Sequence, residues 1–398
     1  MASSSKIPVW LDCDPGHDDA FAILLSAYHP SLDLLGISTV HGNASLPHTT
    51  YNATSILTAI GKPDIPVYAG ASKGLTRPAV HADAIHGESG LDGTNLLPKP
   101  LVAPRTGPFI SAIATALLAT PPGTAWVVAT GALTNIALLF QAHPELASHG
   151  DVLTLLFPPV KGLSIMGGAI GSSHTSAPMG TVSSKTRIGN WSEWAEFNIL
   201  VDPEAASFLL SHPILSLKTS LIPLDVTHLV LATPDIQDML HFGRRPHSHS
   251  DVKTDGKEAG GTGEEKKSST LRRMLIELLT FFAKTYADVF GITSGPPLHD
   301  PLAVAAILDG ISGIEIPFYD FEGVKGGRRE RYAVQVITEG SHDDALAGAQ
   351  TGRTIAMLLA EGEEGVKIPR GLDVKRFWDV VEDCLVLADE VNTGRGVA

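Results

Sequence analysis

Four aspartates within eight residues are the part of this chain best suited to chemistry; they are Asp12, Asp14, Asp18 and Asp19. The segment follows an apolar run at 7–11, typical of a buried parallel strand, and precedes residues 20–25, which predict the core side of a helix. The carboxylates are therefore expected at the C-terminal end of a strand, where open α/β sheets bind their ligands. Because like charges this close repel one another, either their pKa values are raised or a cation neutralises them.

The oxygen atoms of these carboxylates favour Ca²⁺ or Mg²⁺ over zinc. A purely structural explanation covers part of the motif, since Asp-Pro-Gly is a common turn and Asp is a common cap at a helix N-terminus. It leaves Asp12 and Asp14 unexplained, because both lie on the strand side of the turn. The motif therefore predicts a site for a hard cation.

The composition narrows the class of protein. The chain has 398 residues with 43% hydrophobic residues, 39 Gly and 27 Pro, which suits a loop-rich globular α/β protein. A net charge of −14 argues against nucleic acid as a partner. Two cysteines, Cys13 and Cys384, indicate a reducing compartment, and the sequence shows neither an apolar signal region nor a run long enough for a bilayer. We therefore expect a cytoplasmic protein without a membrane partner.

Strand-like and helix-like segments alternate along the chain. Strands are predicted at 32–40, 66–70, 125–130 and 152–157, and helices at 49–60, 110–118, 136–140, 271–290 and 302–308. The alternation predicts an α/β fold with a mainly parallel, Rossmann-like open sheet, helices on its faces and the active site at the C-terminal ends of the strands. A strand at 332–338 and an amphipathic helix at 374–391 are expected to complete the sheet and its cover.

We expect residues 1–398 to form a single domain that carries two insertions. Residues 243–269 are rich in Gly, Ser and charged residues, which predicts a disordered surface insertion. Residues 172–187 are rich in Ser, Thr and Gly. We hypothesise that this second insertion forms a mobile lid that excludes water from the site on closure.

Other polar residues lie at the ends of predicted elements; they are Asn43, Thr130, Glu196, Asn198, His299 and Asp300. Each alone has a structural explanation, such as a turn for Asn43 or a helix cap for Asp300 followed by Pro301. Their shared placement at one rim of a sheet is the stronger argument. A rim of carboxylates and amides suits a metal ion together with a polyhydroxyl ligand.

The motif Asp-Cys-Asp-Pro-Gly-His-Asp-Asp-Ala at 12–20 resembles the N-terminal motif of the inosine-uridine preferring nucleoside hydrolases. The resemblance continues, in the order of the family, through residues 40–43, 85–90, 129–135, 166–168, 195–198, 202–206 and 299–301. It covers residues from about 7 to about 310. The aspartate motif together with the late His-Asp-Pro is highly specific for this family.

The resemblance implies a set of site residues. It implies a Ca²⁺ ion held by Asp14, Asp19, the backbone carbonyl of Thr130, and Asp300. It implies ribose contacts from Asp18, Asn43, Asn190, Glu196, Asn198 and Asp300. Asn43 has the alternative role of orienting the metal ligands. Asp12 would help to orient those ligands without binding the ion itself.

The implied activity is Ca²⁺-dependent hydrolysis of the N-glycosidic bond of ribonucleosides to free base and ribose. Asp14 would act as general base on a metal-bound water. His86 and His299 are the candidates for protonating the departing base, because histidine titrates near neutrality. His299 is favoured because it adjoins Asp300, and a structural role for His86 stays open. The resemblance also implies a homodimer or homotetramer that acts on uridine- or inosine-type substrates in nucleoside salvage.

Two alternatives belong to other classes of protein. One is a non-catalytic ribose- or nucleoside-binding protein on the same fold. The other is a metal-dependent phosphohydrolase, which is disfavoured because the motif region contains no Lys or Arg to hold phosphate. The sequence leaves purine, pyrimidine and nicotinamide ribosides open as substrates. Trp191 and Trp194 would either stack on the base or pack in the core.

Overall fold

A six-stranded parallel sheet forms the centre of the computed structural model, which describes residues 6–147, 160–171, 174–182, 185–244, 268–320 and 328–394. The strands, in chain order, are β1 (Ile7–Cys13), β2 (Leu32–Thr39), β3 (Val67–Ala69), β4 (Ala125–Ala129), β5 (Val160–Met166), β6 (Thr181–Val182), β7 (Lys185–Thr186), β8 (Thr219–Ile222), β9 (Phe318–Tyr319), β10 (Tyr332–Val336), β11 (Thr354–Leu358) and β12 (Gly371–Leu372). The central sheet has the order β3-β2-β1-β4-β5-β8, and all its pairings are parallel. Strands β6 and β7, β9 and β12, and β10 and β11 form antiparallel pairs.

Helices cover the sheet. They are α1 (Asp19–Tyr28), α2 (Leu46–Ala59), α3 (Asp83–His86), α4 (Phe109–Leu118), α5 (Thr134–Ala142), α6 (Phe197–Val201), α7 (Pro203–Leu210), α8 (Leu224–Thr227), α9 (Pro234–Phe242), α10 (Thr270–Phe290), α11 (Asp300–Ala305), α12 (His342–Leu346) and α13 (Val374–Gly394). Short 3₁₀ turns lie at Pro144–Leu146, Ser216–Lys218 and Ala306–Leu308. No helix in the described ranges combines bilayer-spanning length with a sufficiently apolar sequence.

The strand order reverses between β1 and β4. The chain runs from β1 outward through β2 and β3, and then returns to place β4 on the other side of β1. In doubly wound sheets such a reversal opens a crevice at the C-terminal ends of the two strands. The aspartate motif follows β1 and Thr130 follows β4, so the fold brings both to this crevice.

Residue alternation along β1 produces a core on each face of the sheet. Val9 and Leu11 pack into the apolar core that contains α1, α11 and α13, whereas Trp10 packs into the core that contains α4 and α5. Burial on both faces explains why the strand is continuously apolar instead of alternating. Burying a large apolar side chain stabilises the fold by about 1.5–3 kcal/mol, so these two cores hold the motif in place.

The predicted alternation and the open parallel sheet are confirmed, with small shifts at the ends of elements. Residues 152–157, predicted as a strand, lie outside the described residues. Strand β5 escaped prediction because Lys161, Gly162 and Ser164 interrupt its apolar pattern. Gly162 is suited to this position because the Trp126 ring of the neighbouring strand occupies the place of a side chain there.

The prediction that residues 332–338 complete the main sheet is wrong. β10 instead pairs with β11 in an antiparallel hairpin that packs on α7. The side chains of Tyr332, Val334 and Val336 are buried in that interface, whereas Gln335 is exposed. Alternating burial of this kind is expected for a hairpin with one covered face. An edge strand of a larger sheet gives the same pattern, so the sequence does not distinguish the two. Helix α13 does cover the sheet, through its contact with α1.

The two predicted insertions differ in how far the structure describes them. Within 172–187, Pro178 accepts a hydrogen bond from Nδ1 of His228 at 2.7 Å, and Thr175 Oγ1 donates to the carbonyl of Asp225 at 2.5 Å. The described part of this segment therefore lies against α8, and the lid hypothesis stays a prediction. Of the segment 243–269, residues 245–267 lie outside the described residues.

A buried ion pair between α10 and α13 yields a stability prediction. Arg272 donates to both oxygens of Glu382 at 3.0 Å and to Asp389 at 2.6 Å, and the Glu382 side chain is 1% exposed. Arg272→Met should lower the free energy of unfolding by about 3 kcal/mol, because it leaves a buried carboxylate without its cation. The double variant Arg272→Met/Glu382→Leu should recover most of that loss. Urea denaturation measures both, and a single variant within about 0.5 kcal/mol of the parent would contradict the prediction.

Candidate active site

A cavity opens at the C-terminal ends of the central strands. Nine polar residues named from the sequence line it: Asp18, Asn43, His86, Thr130, Asn190, Glu196, Asn198, His299 and Asp300. Asp14 and Asp19 are fully buried and contact this lining, Asp14 through the backbone N–H of Asn43 and Asp19 through the Thr130 hydroxyl. The fold thus brings together residues that are far apart in the sequence.

Three carboxylates converge at one end of the cavity. One oxygen from each of Asp18, Asp19 and Asp300 lies within 4.8 Å of the others, and all three side chains are buried. Asp19 accepts hydrogen bonds from the backbone N–H of Gly16 at 2.8 Å and from Thr130 Oγ1 at 3.0 Å. These donors hold the carboxylate in place without supplying a positive charge.

Asp14 adjoins this cluster and has an unused oxygen. Its Oδ2 accepts from the backbone N–H of Asn43 at 2.7 Å, whereas its Oδ1 is buried without a hydrogen-bond partner among the described residues. The backbones of Gly42 and Gly131 lie so close to the carboxylate that a side chain at either position would collide with it. A buried oxygen of this kind costs free energy unless a donor or a cation satisfies it.

The pKa values of the cluster reflect this crowding. Burial raises the pKa of Asp18 to about 7, and the neighbouring charge of Asp19 contributes to the rise. Burial and neighbouring carboxylates also raise the pKa values of Asp14 and Asp300 well above the usual range. Since the cluster itself offers carboxylate oxygens, and one oxygen of the adjoining Asp14 has no partner among the described residues, these residues fit a divalent cation.

Asp12 supports the site from the end of β1. Its Oδ1 accepts hydrogen bonds from Ser38 Oγ and, at 2.7 Å, from Asn135 Nδ2, while burial raises the pKa of the carboxyl to about 7. Its backbone carbonyl accepts from the N–H of Thr130 at 2.8 Å. Asp12 therefore links β1 to the turn that carries Thr130.

Amide side chains and Glu196 complete the rim of the cavity. Asn198 Nδ2 donates to the Thr130 carbonyl at 3.0 Å, which orients a backbone oxygen beside the cluster. Glu196 caps α6 by accepting from the N–H groups of Asn198 and Ile199 at 2.8 and 3.1 Å, and it also accepts from Gly168 at 2.9 Å. These contacts give Glu196 a structural role as a cap in addition to its place in the lining.

His299 is held by two hydroxyl groups. Its Nδ1 lies 2.7 Å from Thr227 Oγ1 and its Nε2 lies 2.6 Å from the hydroxyl of Tyr286, which lines the cavity. A proton that passes between His299 and a ligand would therefore travel through Tyr286. Tyr286 shares the apolar face of α10 with Phe282 and Phe290, so the sequence alone leaves open whether it lines the base end of the pocket or packs the helix. The structure places Tyr286 and Phe282 in the lining of the cavity.

His86 reaches the cavity from a different direction. Its Nδ1 lies 2.9 Å from Nδ1 of His17, whose Nε2 lies 2.8 Å from the carbonyl oxygen of Asp92. Burial lowers the pKa of His86 well below the usual range for histidine and lowers that of His17 to about 4. Both rings are therefore neutral near pH 7.

The two tryptophans have different surroundings. Trp191 lines the cavity, lies 4.7 Å from the Phe197 ring with the ring planes tilted by 55°, and donates its Nε1–H to Nε2 of His342 at 2.8 Å. Trp194 instead lies beneath the guanidinium of Arg353, 4.6 Å from the ring centroid. Of the pair, Trp191 is therefore the one placed to contact a ligand.

The chain resembles proteins of known class. The family model for inosine-uridine preferring nucleoside hydrolases matches residues 9–379. The chain is 38% identical to the uridine nucleosidase of Saccharomyces cerevisiae over 393 residues, 98% of each chain, and 37% identical to a pyrimidine-specific ribonucleoside hydrolase of Citrobacter koseri over 302 residues, 76% of this chain and 79% of that one. A purine-preferring ribonucleoside hydrolase from Gardnerella vaginalis superposes with a TM-score of 0.69 at 23% identity over 96% and 99% of the two chains, which shows a shared fold.

A carboxylate cluster suited to a cation, set at the reversal point of a doubly wound sheet, defines a metal-dependent enzyme on an α/β scaffold. The chain belongs to the inosine-uridine preferring nucleoside hydrolase family, whose members are N-glycosyl hydrolases. The family and the fold predicted from the sequence are both confirmed.

The raised pKa values predict how a divalent cation stabilises the protein. Because folding raises the pKa of Asp18 from about 3.9 to about 7, its ionisation destabilises the metal-free fold as pH rises through this window. A cation must displace the bound proton below pH 7, at a cost of about 1.4 kcal/mol per pH unit. Saturating Ca²⁺ or Mg²⁺ should therefore raise the melting temperature more at about pH 8 than at about pH 5.5.

Thermal unfolding with chelator and with each cation, at both pH values, measures the effect. The buried histidines titrate in the samples with chelator and in those with cation. Their contribution therefore cancels when the two melting temperatures at one pH are subtracted. Asp300→Asn serves as the matched variant and should lose most of the shift. Equal shifts at the two pH values would contradict the prediction.

Proposed function

We propose that this chain is a Ca²⁺-dependent hydrolase of the N-glycosidic bond of pyrimidine ribonucleosides, with uridine as the preferred type, and that it releases free base and ribose. The observation that supports this most is that a single cavity is lined by carboxylates, Asp18 and Asp300, and by aromatic rings, Phe282 and Tyr286. Similarity to relatives named for uridine and for pyrimidine ribonucleosides favours pyrimidine over purine bases.

The carboxylates of the cavity suit the ribose. Hydrolysis of an N-glycosidic bond builds positive charge on the sugar in an oxocarbenium-like transition state, which fixed carboxylates stabilise. Asp18 lines the cavity and is held by weak hydrogen bonds of 3.3 and 3.4 Å from the backbone N–H groups of His299 and Asp300, so most of its accepting capacity is left for hydroxyl groups. We assign the amides of Asn43, Asn190 and Asn198, together with Glu196, to the remaining ribose contacts.

Ca²⁺ is the cation we propose for the aspartate cluster. Asp18, Asp19 and Asp300 each bring one carboxylate oxygen to within 4.8 Å of the others. We assign the unpartnered oxygen of Asp14 and the Thr130 carbonyl to the same ion as further hard oxygen ligands. When bound, the ion supplies Lewis acidity that lowers the pKa of a coordinated water.

Asp14 is the proposed general base. One of its oxygens is held by the Asn43 backbone and the other is unpartnered within the described ranges, so the second is free to take a proton. Burial raises its pKa, which makes its carboxylate a stronger base than an ordinary one. General base catalysis of this kind contributes about 10²–10⁴-fold to rate.

The aromatic rings and histidines suit the departing base. His86 and Tyr286 both line the cavity, and the Tyr286 hydroxyl lies 2.6 Å from Nε2 of His299. A proton donor here stabilises the base as it leaves with the bonding electrons of the N-glycosidic bond. The proposed action of His299 is therefore indirect and passes through the Tyr286 hydroxyl.

The phosphohydrolase alternative lacks support in the cavity. None of the described residues that line it is Lys or Arg, whereas phosphoryl transfer uses such cations to hold the transferred group. The non-catalytic alternative remains distinguishable by experiment, because a binding protein would bind nucleosides without releasing ribose.

The proposed function is tested by an assay for reducing sugar. Purified protein is incubated with uridine, cytidine, inosine, adenosine and nicotinamide riboside, with Ca²⁺ and with chelator. We expect ribose release that is fastest with uridine and that chelator abolishes. Asp14→Ala should lower kcat on uridine by about 1,000-fold, because it removes the base.

Asp83→Ala is the control variant, since Asp83 is an exposed acid on α3 outside the cavity and its removal should leave the rate unchanged. Nucleoside binding without ribose release, from folded protein with Ca²⁺, would overturn the enzyme in favour of the binding protein. Chelator-insensitive release would overturn the proposed cation.

A further inference from the structure

The two tryptophans of the loop at 189–194 are both held by a segment near the C-terminal end of the chain. Nε1 of Trp191 donates to Nε2 of His342 at 2.8 Å, and the guanidinium of Arg353 lies 4.6 Å from the centroid of the Trp194 ring. The roles proposed above use neither contact. Of these two tryptophans Trp191 is the one that lines the cavity, so its hydrogen bond to His342 fixes a side chain of the site.

The backbone that carries His342 is held in place by Arg77. The Nε of Arg77 donates to Glu204 at 2.8 Å, and its terminal nitrogens donate to the carbonyls of Thr338 and Gly340 at 2.5 and 2.7 Å. Because Glu204 belongs to α7, the segment just before His342 is tied to the body of the fold. His342 therefore presents its Nε2 to the indole from a fixed position.

The Trp191 indole forms part of the wall of the cavity. It packs against one buried apolar cluster that contains Phe197 and against another that contains Leu200. Its backbone N–H donates to the carbonyl of Ala195 at 3.3 Å, which folds the loop back on itself. Since His342 lines a separate groove, the indole and the imidazole together stand between this groove and the cavity.

The surroundings of Trp191 are those assigned above to the ribose. Asn190, its neighbour in sequence, accepts a hydrogen bond from the N–H of Phe197 at 3.0 Å. Phe197 itself lies between Glu196 and Asn198 in the sequence. The rings that suit the base come instead from α10. Trp191 is therefore placed with the sugar of a bound nucleoside.

The chemistry of ribose indicates which part of the sugar meets this wall. The two hydroxyl groups on the ring of a ribonucleoside are adjacent and suit the aspartates and a hard cation. The third hydroxyl group is carried by the exocyclic C5′ methylene. An aromatic ring beside polar amides suits this hydroxymethyl group, because the ring covers the carbon while the amides bind the oxygen.

We propose that Trp191 contacts the C5′ hydroxymethyl group of the ribose and excludes larger substituents at this carbon, and that His342 is a positioning residue that holds the indole there. The inference deepens the proposed function and rests on its assignment of the ribose contacts. One added carbon in a well-fitted pocket changes kcat/KM by about 10–200-fold. The parent should therefore discriminate against 5′-O-methyluridine, relative to uridine, by at least about tenfold.

Two methylated substrates test which part of the nucleoside Trp191 contacts. Trp191→Leu removes the indole and should raise the ratio of kcat/KM for 5′-O-methyluridine to that for uridine by about tenfold. 5-Methyluridine carries its added methyl group on the base, and its ratio to uridine should stay within about twofold of the parent. Trp194→Leu is the matched control on the same loop and should leave both ratios unchanged.

Two variants of His342 test the positioning role. His342→Leu removes the acceptor of the indole N–H and should raise the ratio for 5′-O-methyluridine by about threefold or more. His342→Gln should restore the ratio of the parent, because its amide oxygen can accept near the former place of Nε2. A ratio that His342→Leu leaves unchanged, or that His342→Gln fails to restore, would overturn the positioning role.

The response to Trp191→Leu decides the contact itself. A rise in the ratio for 5-methyluridine in place of 5′-O-methyluridine would overturn the inference, because it would place the indole beside the base. Two unchanged ratios would overturn it as well.

Binding of pseudouridine separates this inference from the proposed function. Its base is joined to the ribose by a carbon–carbon bond that resists hydrolysis. In the presence of Ca²⁺, pseudouridine should quench the tryptophan fluorescence of the parent and of Trp194→Leu. Calorimetry should show that Trp191→Leu still binds it, but without this quenching.

The two failures give different results. Quenching that depends on Trp191, from parent protein that releases no ribose from uridine, would contradict the proposed function and support the contact. Quenching that persists in Trp191→Leu, or a parent that does not bind pseudouridine, would overturn the contact.

Discussion

Repulsion among buried carboxylates is the constraint around which this molecule is organised. Asp12, Asp14, Asp18, Asp19 and Asp300 are all buried, and Asp12, Asp14, Asp18 and Asp19 accept hydrogen bonds from neutral donors. Burial disfavours each charge, and each charge disfavours its neighbours. A divalent cation would relieve both effects at once, and its binding would then be coupled to the stability of the fold.

The scaffold is arranged to tolerate that repulsion. The parallel sheet delivers Asp14 and Thr130 from β1 and β4 to the point where the strand order reverses, while α11 brings Asp300 from much later in the chain. Two apolar cores, one on each face, provide the burial that offsets an unfavourable polar centre. The unfavourable free energy of the buried carboxylates is offset by apolar packing elsewhere in the fold, as is common for functional sites.

Much of this arrangement could be predicted from the sequence, because its signals are local. An apolar run followed by Asp-Pro-Gly-His-Asp-Asp indicates a strand, a turn and a helix within about twenty residues. The placement of Asn43, Thr130 and Asp300 at one rim followed from the rule that parallel strands end at the same edge. The rim residues do line one cavity, although their individual roles remain proposals.

The features that escaped prediction depend on contacts between distant segments. The sequence does not predict β5 because its Lys, Gly and Ser weaken the strand pattern. The glycine is explained only by the structure, in which the Trp126 ring of the neighbouring strand packs against it. The pairing of β10 with the main sheet was wrongly predicted because the alternation of apolar and polar residues in a strand does not indicate which strand pairs with it. Tyr286 lies on the apolar face of α10, and His17 lies between apolar rings. Only the contact of Tyr286 with His299 and that of His17 with His86 distinguish these two residues from ordinary core residues.

The measurement that tests the central claim most directly is calorimetric titration of Ca²⁺ into chelator-treated protein at about pH 6.5, in two buffers of different ionisation enthalpy. If the carboxylate cluster keeps protons until a cation arrives, one Ca²⁺ should bind per chain and release at least about one proton, since the pKa of Asp18 is about 7 and those of Asp14 and Asp300 are also raised. Binding heats that are identical in the two buffers, or the absence of binding, would contradict the claim that cation and proton compete for these aspartates.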